Sequence, residues 1–281
     1  MVRCQQCSLE SVNPLPSIEN LQENYDREMK SDTRKSPYFL EYIHERQTRS
    51  RSYDKTYKHR MDLIERLYGR KGNLLDVGCG AGFFMRHAQS RGWNAHGIDI
   101  LPEYIDYARE TLKLQQIHCA TLEKHSFAPQ YFDAVTLWDL IEHLPHPLDS
   151  LKHIHQILKP GGLLTIWTPN TQNGVLLKEQ WTGYWPRQHL YFFSRSTLEN
   201  LLEQAGFRIT YCTTTKTKKG LMIPQDSLNF EKRRPPESGP ARTWFALKRD
   251  LGNFINPMTY LSPLLDRAGF GFNLLVIASR Q

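Results

Sequence analysis

The chain has 281 residues, of which 40% are hydrophobic and 23% are charged, a balance typical of a folded globular protein. Nowhere does it reach the roughly 18 to 20 consecutive apolar residues that cross a bilayer, and its first ten residues lack the apolar run of a secretory signal, so we expect a cytoplasmic protein. The net charge of +7 admits an anionic partner, but the basic residues accompany no recognised DNA- or RNA-binding motif, and no nucleic-acid partner is expected.

The first 52 residues are polar and rich in Tyr, Arg and Glu, and we interpret them as an N-terminal arm or lid. They contain one CxxC pair, Cys4 and Cys7, which is half of the ligand set of a zinc ribbon. Tetrahedral zinc needs four ligands, and the other three cysteines fall in predicted strands or loops farther along the chain. We therefore interpret the pair as a remnant and predict no metal site. An odd number of scattered cysteines likewise predicts no disulfide framework.

Residues 53–281 are predicted to form the main domain, which opens with an amphipathic helix over residues 54–68. From Asn73 onward, short apolar runs alternate with longer amphipathic stretches, the pattern of βαβ units around a parallel sheet. Seven strands are predicted, at 73–77, 94–99, 116–119, 133–138, 162–168, 207–214 and 272–279. Helices are predicted at 82–91, 102–113, 148–158 and 195–205.

The segment LLDVGCGAGFF, residues 74–84, places three glycines directly after the first predicted strand. Glycines at 78, 80 and 82 let the backbone turn sharply and approach a ligand at the carboxyl end of that strand. A tight strand-to-helix turn without any ligand would use such glycines too. Their one-residue spacing differs from the GxGxxG of dinucleotide sites.

Two acids narrow the class of ligand. Asp99 ends the next predicted strand, a position from which a carboxylate accepts hydrogen bonds from both hydroxyls of a ribose. Asp76 lies on the first strand, where a carboxylate would repel a pyrophosphate but suits a positively charged group. Together they predict a cationic amino-acid nucleoside.

The ordered segments LLDVGCGAG, GIDI, YFDAVTLWDLIEHLPHP, LKPGGLLTIWTPN and RQHLYFFSRSTLENLLEQAGF resemble the class I S-adenosylmethionine-dependent methyltransferases. The resemblance covers residues 53–214 and returns at 272–279, and it points to the group that contains the ubiquinone-biosynthesis O-methyltransferases and related bacterial small-molecule and sugar methyltransferases. It implies an α/β, Rossmann-like seven-stranded sheet in the order 3-2-1-4-5-7-6, with the last strand antiparallel and helices on both faces. It also implies S-adenosyl-L-methionine as cofactor and a small-molecule acceptor methylated on oxygen or carbon.

The same resemblance implies a set of cofactor contacts. At the methionine end these are Asp76, Gly78, Cys79 and Gly80, with Trp138 and Asp139 beside them; at the ribose, Asp99; and at the adenine, Ile100, Leu122 and Glu123. For the apolar pair Ile100 and Leu122, plain core packing is the alternative interpretation.

Two histidines are candidates for the base that an oxygen or carbon acceptor requires. His189 lies in a segment that resembles the loop that relatives place over the acceptor pocket, and Tyr184 and Trp185 just before it are candidate substrate residues. His143 ends the segment 139–143, which reads Glu-x-x-Glu-His in the ubiquinone enzymes and is associated there with a divalent metal. A structural role and a metal-binding role both remain open for this segment, and no bound metal is predicted.

Residues 215–270 form a basic insertion before the last predicted strand, with ten Lys or Arg against five acids. A connection between two paired strands normally has only a few residues. This one contains a candidate amphipathic helix over residues 244–255, which could pack on its own domain, cover the acceptor pocket or touch an anionic membrane surface. The membrane interpretation is the least favoured of the three, because part of the basic charge lies outside the helix.

Two rival functions come from other classes of protein. An NAD(P)-dependent oxidoreductase would use a similar sheet, but the GxGxxG spacing is missing. A non-catalytic binding module is suggested only by the charge. The oligomeric state is not predicted.

Overall fold

The structure is a computed structural model that describes residues 1–16, 37–177, 181, 183, 188–215 and 258–281. Its strands are β1 (Val2–Arg3), β2 (Glu10–Ser11), β3 (Asn73–Val77), β4 (Asn94–Asp99), β5 (Ile117–Cys119), β6 (Phe132–Trp138), β7 (Leu158–Pro169), β8 (Tyr191–Phe192), β9 (Phe207–Thr215) and β10 (Asn273–Arg280). Its helices are α1 (Pro37–Thr48), α2 (Ser50–Tyr68), α3 (Phe83–Ser90), α4 (Pro102–Glu110), α5 (Pro147–Ile157), α6 (Thr171–Leu177), α7 (Arg195–Gln204) and α8 (Met258–Arg267), with a short 3-10 helix at Ile141–His143.

Seven strands form one sheet in the order β5-β4-β3-β6-β7-β10-β9. The first five are parallel, and β10 runs antiparallel to both of its neighbours, β7 and β9. Numbered within the sheet, this is the predicted order 3-2-1-4-5-7-6 with an antiparallel last strand, so the predicted topology is confirmed. The carboxyl ends of β3, β4 and β6 meet at one edge, where open α/β sheets bind their ligands.

Helices cover both faces of the sheet, as predicted. The apolar sides of α2, α3 and α4 pack together on one face, and those of α5 and α7 pack on the other. Because helices cover both faces, the central strands are buried; all but the last residue of β6 are buried.

The strand β7 begins four residues earlier than predicted. The Lys-Pro-Gly-Gly run was expected to end the preceding helix, but Leu158 already pairs with Phe132 of β6, and the register then shifts so that Leu163 pairs with Ala134. Gly161 has a φ of +74° within the irregular stretch. Proline and glycine occur both at the ends of helices and at bulges in strands. The local sequence therefore does not show which of these two structures the run forms.

The N-terminal 52 residues contain structure that was not predicted. The hairpin β1-β2 joins β8 to form a separate three-stranded sheet, with Glu10 opposite Phe192 and Ser11 opposite Tyr191. Farther on, α1 packs beside α2, which starts four residues before the predicted helix. The N-terminal segment thus contacts the main domain at two separate places.

The carboxyl-terminal part of the basic insertion is anchored to the main sheet. The side chain of Asn170, the residue after β7, donates hydrogen bonds to the carbonyls of Gly269 and Gly271 at 2.9 and 2.8 Å. Thr214 Oγ1 donates to the carbonyl of Asp266 at 2.5 Å. The candidate helix at 244–255 lies outside the described residues. Among the helices that the structure does describe, none combines the length and apolarity needed to cross a membrane.

Candidate cofactor and acceptor site

The turn after β3 is shaped by backbone groups. The N–H groups of Gly78 and Cys79 both donate to the carbonyl of Ile98, at 2.9 and 3.1 Å. Gly78, Gly80 and Gly82 have φ angles of +69°, +52° and +76°, in the left-handed region that glycine adopts without strain. The three glycines therefore form the sharp turn that their spacing predicted.

Asp99, at the end of β4, lies against this turn. Its Oδ2 accepts the N–H of Gly80 at 2.8 Å, and its Oδ1 accepts the N–H of Leu101 at 3.0 Å. Burial raises the pKa of Asp99, and these backbone hydrogen bonds oppose the rise. An ionised carboxylate has about four lone-pair sites, so both oxygens keep capacity to accept hydroxyl groups of a ribose.

Asp76 is a buried acid directly beneath the turn. Only 1% of its surface is exposed, and Thr136 Oγ1 donates to its Oδ1 at 2.7 Å. Burial raises the pKa of Asp76 to about 7, against the opposing effects of the Thr136 hydrogen bond and the charge of Arg60. A carboxyl group in this state gains most from a cation that binds beside it.

The side chain of Cys79 points into the protein core. A Cβ added to Gly97 would lie 2.8 Å from the sulfur of Cys79 and 2.9 Å from that of Met85. Burial, together with the charges of Asp99 and Asp76, raises the pKa of this thiol. Cys79 can therefore line a cofactor site only through its backbone.

The three residues expected around the adenine differ in exposure. Ile100 is 44% exposed, and Leu122 is 3% exposed within the hydrophobic core. Glu123 is exposed, and its Oε1 accepts a hydrogen bond from Ser150 at 2.9 Å. Of the two apolar residues only Ile100 presents an open surface, and adenine contacts remain predictions for all three.

The end of β6 carries Trp138 and Asp139, the pair expected beside the methionine moiety. Asp139 has a φ of +52°, and its N–H donates to the carbonyl of Trp167 at 2.8 Å. Non-glycine residues held in this region of φ are concentrated at functional sites. The guanidinium of Arg60 lies 4.0 Å from the ring centroid of Trp138 and 5.2 Å from that of Trp167, within cation–π range of both.

Arg60 was not among the predicted site residues, although the sequence contains a signal for it. It lies three residues after Tyr57 and four before Ile64, on the side of α2 that both residues bury. A charged residue among buried positions of an amphipathic helix is unusual and marks a site to inspect.

The helix α1 covers the glycine turn from the outside. A Cβ added to Gly80 would lie 2.6 Å from the hydroxyl oxygen of Tyr42. The ring of Tyr42 packs 4.8 Å from that of Tyr104, and the guanidinium carbon of Arg46 lies 3.3 Å from the centroid of the Tyr42 ring. Burial raises the pKa of Tyr42, so its hydroxyl stays protonated and able to donate. The absence of a side chain at Gly80 thus lets Tyr42 of α1 pack against the turn.

The structure brings His143 and His189 together, 46 positions apart in the chain. Their ring centroids are 4.8 Å apart in an edge-to-face arrangement. Nδ1 of His143 lies 2.9 Å from the carbonyl oxygen of Gln188, and Nδ1 of His189 lies 2.9 Å from that of Gly183. Because a carbonyl only accepts, each Nδ1 is the donor, and the basic nitrogen of each neutral ring is Nε2.

Both imidazoles are held in their neutral form. Burial and the neighbouring His189 lower the pKa of His143 to about 3. Burial also lowers the pKa of His189, but there the Gly183 carbonyl and the charge of Asp139 oppose it. His189 is therefore the stronger base of the two.

Glu142 lies beside the two histidines. Within the described part of the chain, these three side chains are close enough together to bind one cation. Their ligand atoms lie within 4.8 Å of one another, and the group does not include Asp139. Glu142 is buried; its Oε2 accepts Thr168 Oγ1 at 2.9 Å, while its Oε1 has no hydrogen-bond partner among the described residues. Histidines that donate Nδ1–H to carbonyls and an orphaned carboxylate oxygen suit a divalent metal.

Tyr184 and Trp185, the predicted substrate residues, lie outside the described residues.

Comparison with known proteins places this site in a family. A methyltransferase domain family matches residues 42–211, more than half of the chain. The chain is similar to the ubiquinone biosynthesis O-methyltransferase of Coxiella burnetii, with 34% identity over 116 residues that cover 40% of this chain and 50% of that protein. It is also similar to that of Idiomarina loihiensis, with 30% identity over 153 residues that cover 50% and 62%. The chain thus spans between half and two thirds of these relatives.

Solved structures agree in fold. A S-adenosylmethionine-dependent methyltransferase from Archaeoglobus fulgidus superposes with a TM-score of 0.55 at 17% identity, over 85% of this chain and 99% of that one. The 1,6-didemethyltoxoflavin-N1-methyltransferase of Burkholderia thailandensis, bound to S-adenosylhomocysteine, has a TM-score of 0.55 at 13% identity, over 100% and 98%. The family match includes the glycine turn, both acids and both histidines. The chain belongs to this methyltransferase domain family, and its sheet has the fold of solved S-adenosylmethionine-dependent methyltransferases.

Proposed function

We propose that this enzyme methylates an oxygen atom of a small-molecule acceptor and that His189 accepts the acceptor's proton. The observation that carries the proposal is the His143–His189 pair, two neutral imidazoles whose Nδ1 atoms are committed to backbone carbonyls. Oxygen methylation agrees with the O-methyltransferase activity for which the ubiquinone biosynthesis relatives are named.

The glycine turn and its two acids are proposed to hold the cofactor. S-adenosylmethionine supplies, when bound, an electrophilic methyl group on a sulfonium. Asp76 would favour the positively charged amino-acid end, Asp99 would accept ribose hydroxyls, and Ile100 would offer its exposed surface to the adenine. Backbone groups of Gly78 to Gly80 would line the methionine moiety at the carboxyl end of β3, where the positive φ angles of Gly78 and Gly80 turn the chain.

A base is needed because a neutral hydroxyl is a poor nucleophile. In the transfer, the carbon–sulfur bond breaks as the carbon–oxygen bond forms, and the hydroxyl proton passes to Nε2 of His189. His143, with a pKa of about 3, is too weak a base for that task. It packs edge-on against His189 and is assigned a positioning role.

A metal-assisted variant of this reaction is the second candidate. Glu142, His143 and His189 would hold a divalent cation through the buried Oε1 and the two Nε2 atoms. A cation supplies Lewis acidity, which lowers the pKa of a bound hydroxyl. In this case His189 would be a metal ligand and not the base.

The proposal is tested with His189→Ala, His143→Ala and the control His59→Ala, a histidine exposed on α2. Turnover is measured with methyl-labelled cofactor and a panel of phenols and catechols, and affinity for S-adenosylhomocysteine is measured by calorimetry. Loss of a general base should reduce turnover by about 10²- to 10⁴-fold while cofactor affinity changes little. The His59 variant should match the wild type.

Three results would count against the assignment. Full turnover in His189→Ala would remove it from the reaction. Loss of turnover in His143→Ala alone would reverse the two roles. Turnover that a chelator abolishes and Mg²⁺ or Zn²⁺ restores in the wild-type enzyme would favour the metal-assisted variant.

A further inference from the structure

The hydroxyl group of Tyr42 lies against the glycine turn. If a Cβ were added to Gly80, the three heavy atoms nearest to it would all belong to Tyr42, with the hydroxyl oxygen at 2.6 Å and Cζ at 3.2 Å. The N–H of the same glycine donates to Asp99 at 2.8 Å. Among the described residues, the hydroxyl of Tyr42 has no hydrogen-bond partner. An uncommitted donor therefore lies at the turn that is proposed to hold the cofactor.

Neighbouring side chains hold the phenol ring of Tyr42 in this place. Its centroid is 4.8 Å from the ring centroid of Tyr104 and 6.3 Å from that of Phe83. The guanidinium carbon of Arg46 lies 3.3 Å from the Tyr42 centroid and 4.9 Å from that of Tyr53, within cation–π range of both rings. Rotation of Tyr42 away from the turn would break these contacts.

The strands and the helices that meet near the turn carry opposite charges. The strands supply acids, Asp76 in β3 and Asp99 at the end of β4. The helices supply guanidinium groups, Arg46 in α1 and Arg60 in α2, and Nε of each is buried without a hydrogen-bond partner in the described part of the chain. A buried donor without an acceptor costs free energy, so both arginines favour an acceptor that a ligand brings. An amino-acid ligand matches this layout, with its ammonium toward the acids and its carboxylate toward the helices.

We propose that Tyr42 donates a hydrogen bond to the carboxylate at the amino-acid end of the cofactor, with Arg46 as a positioning residue that holds the ring in place. The inference rests on the cofactor site of the proposed function and adds α1 to that site. A hydrogen bond to a carboxylate is stronger than one between two neutral groups. Tyr42 would thereby distinguish ligands that carry the carboxylate from ligands that lack it.

The test compares two ligands that differ only in this carboxylate. S-adenosylhomocysteine carries it, whereas its decarboxylated analogue keeps the nucleoside and the amine but lacks it. Calorimetry with the full chain gives the affinity of each ligand for the wild type and for Tyr42→Phe. Loss of a charge-assisted hydrogen bond should weaken S-adenosylhomocysteine binding about 10- to 100-fold, whereas affinity for the analogue should change by less than about twofold.

A double-mutant cycle tests the positioning role of Arg46. Arg46→Lys keeps the positive charge but removes the planar group that stacks on the Tyr42 ring. It should weaken binding of S-adenosylhomocysteine and spare the analogue, as Tyr42→Phe does. In the Tyr42→Phe background the same change should have little further effect, because the hydroxyl that Arg46 holds in place is gone. Fully additive losses would overturn the positioning role.

The matched control is Tyr107→Phe, which removes a hydroxyl that accepts a hydrogen bond from Gln47 of α1 at 3.3 Å. This contact of α1 does not involve Gly80, so both affinities should equal those of the wild type. Equal losses for the two ligands in Tyr42→Phe, or no loss for either, would overturn the carboxylate contact while wild-type binding still supports the cofactor site. A wild-type protein that binds neither ligand would overturn the cofactor site of the proposed function, and this inference with it.

Discussion

Asp76 and Asp99 lie on adjacent parallel strands, but their carboxylates differ in the number of hydrogen-bond donors around them. Two backbone N–H groups donate to the carboxylate of Asp99, whereas a single hydroxyl, that of Thr136, donates to Asp76. With a pKa of about 7, Asp76 is close to half protonated at neutral pH in the protein alone. A charged, buried group with few partners is well suited to bind a cation but costs stability without one.

The pH dependence of cofactor binding follows from this pKa. The native pKa of Asp76 is raised above its ordinary value of 3.8. The protonated carboxyl therefore contributes to folding stability below that value, and this contribution is lost as the pH rises through about 7. A cationic ligand acts in the opposite direction, since it binds the ionised form and expels the proton. Cofactor affinity should therefore be about tenfold weaker near pH 6 than near pH 8, with a proton released that calorimetry in buffers of different ionisation enthalpy detects.

Asp76→Asn provides the control, because an amide does not titrate. Its affinity should be lower than that of the wild type near pH 8 and flatter with pH. An equal pH slope in both proteins would show that the titrating group is elsewhere.

The helix α1 packs against the glycine turn at Gly80. Gly80→Ala places a methyl group in the left-handed region of φ, at a cost of about 1–2 kcal/mol, and also pushes it against the hydroxyl of Tyr42 at 2.6 Å. We expect α1 to detach, so that amides of Pro37–Thr48 exchange with deuterium faster while those of the central strands do not. Cofactor affinity should fall with it.

Two companion variants separate strain from contact. Gly161 also has a positive φ, but nothing lies within 4 Å of an added Cβ, so Gly161→Ala should leave exchange in α1 unchanged. Adding Tyr42→Phe to Gly80→Ala removes the obstructing oxygen and should slow the exchange of α1 again. If the double variant behaves like Gly80→Ala, the contact with Tyr42 is not what holds the helix.

At the scale of the whole molecule, the basic insertion joins two paired strands without disturbing their register. Thr215 of β9 lies opposite Asn273 of β10, and the pairing continues to Phe207 and Arg280 with one irregularity. Helix α8 stays with the sheet through the carbonyl of Asp266. A deletion must therefore spare α8, which the sheet needs.

Replacing residues 220–254 with a short linker should preserve cofactor affinity and melting temperature, because the contacts of β9, β10 and α8 all remain. Acceptor turnover then distinguishes a lid, which would be lost, from a helix packed elsewhere, which would not affect it. The full chain should not sediment with anionic liposomes at low salt. Salt-sensitive sedimentation, or loss of cofactor binding in the deletion, would contradict these expectations.

The sequence by itself determined the central sheet, because apolar periodicity and glycine spacing are local properties of the chain. The bounds of β3 and β4 were predicted to the residue, and the glycine turn and Asp99 lie together as expected. The errors fall where one local pattern serves two structures. The Lys-Pro-Gly-Gly run after α5 is an equally good helix stop and strand bulge, and only pairing with β6 decides between them.

The tertiary structure alone decided which distant residues share the site. His143 and His189 meet because a backbone hydrogen bond from Leu190 to Glu142 joins the two segments, and Tyr42 reaches Gly80 from a helix that precedes the sheet. The hairpin that carries Cys4 pairs with a strand about 180 residues later. Such contacts leave no periodic trace in the chain, since they depend on the complementary packing of whole elements, and they set the pKa values and charges on which the chemistry depends.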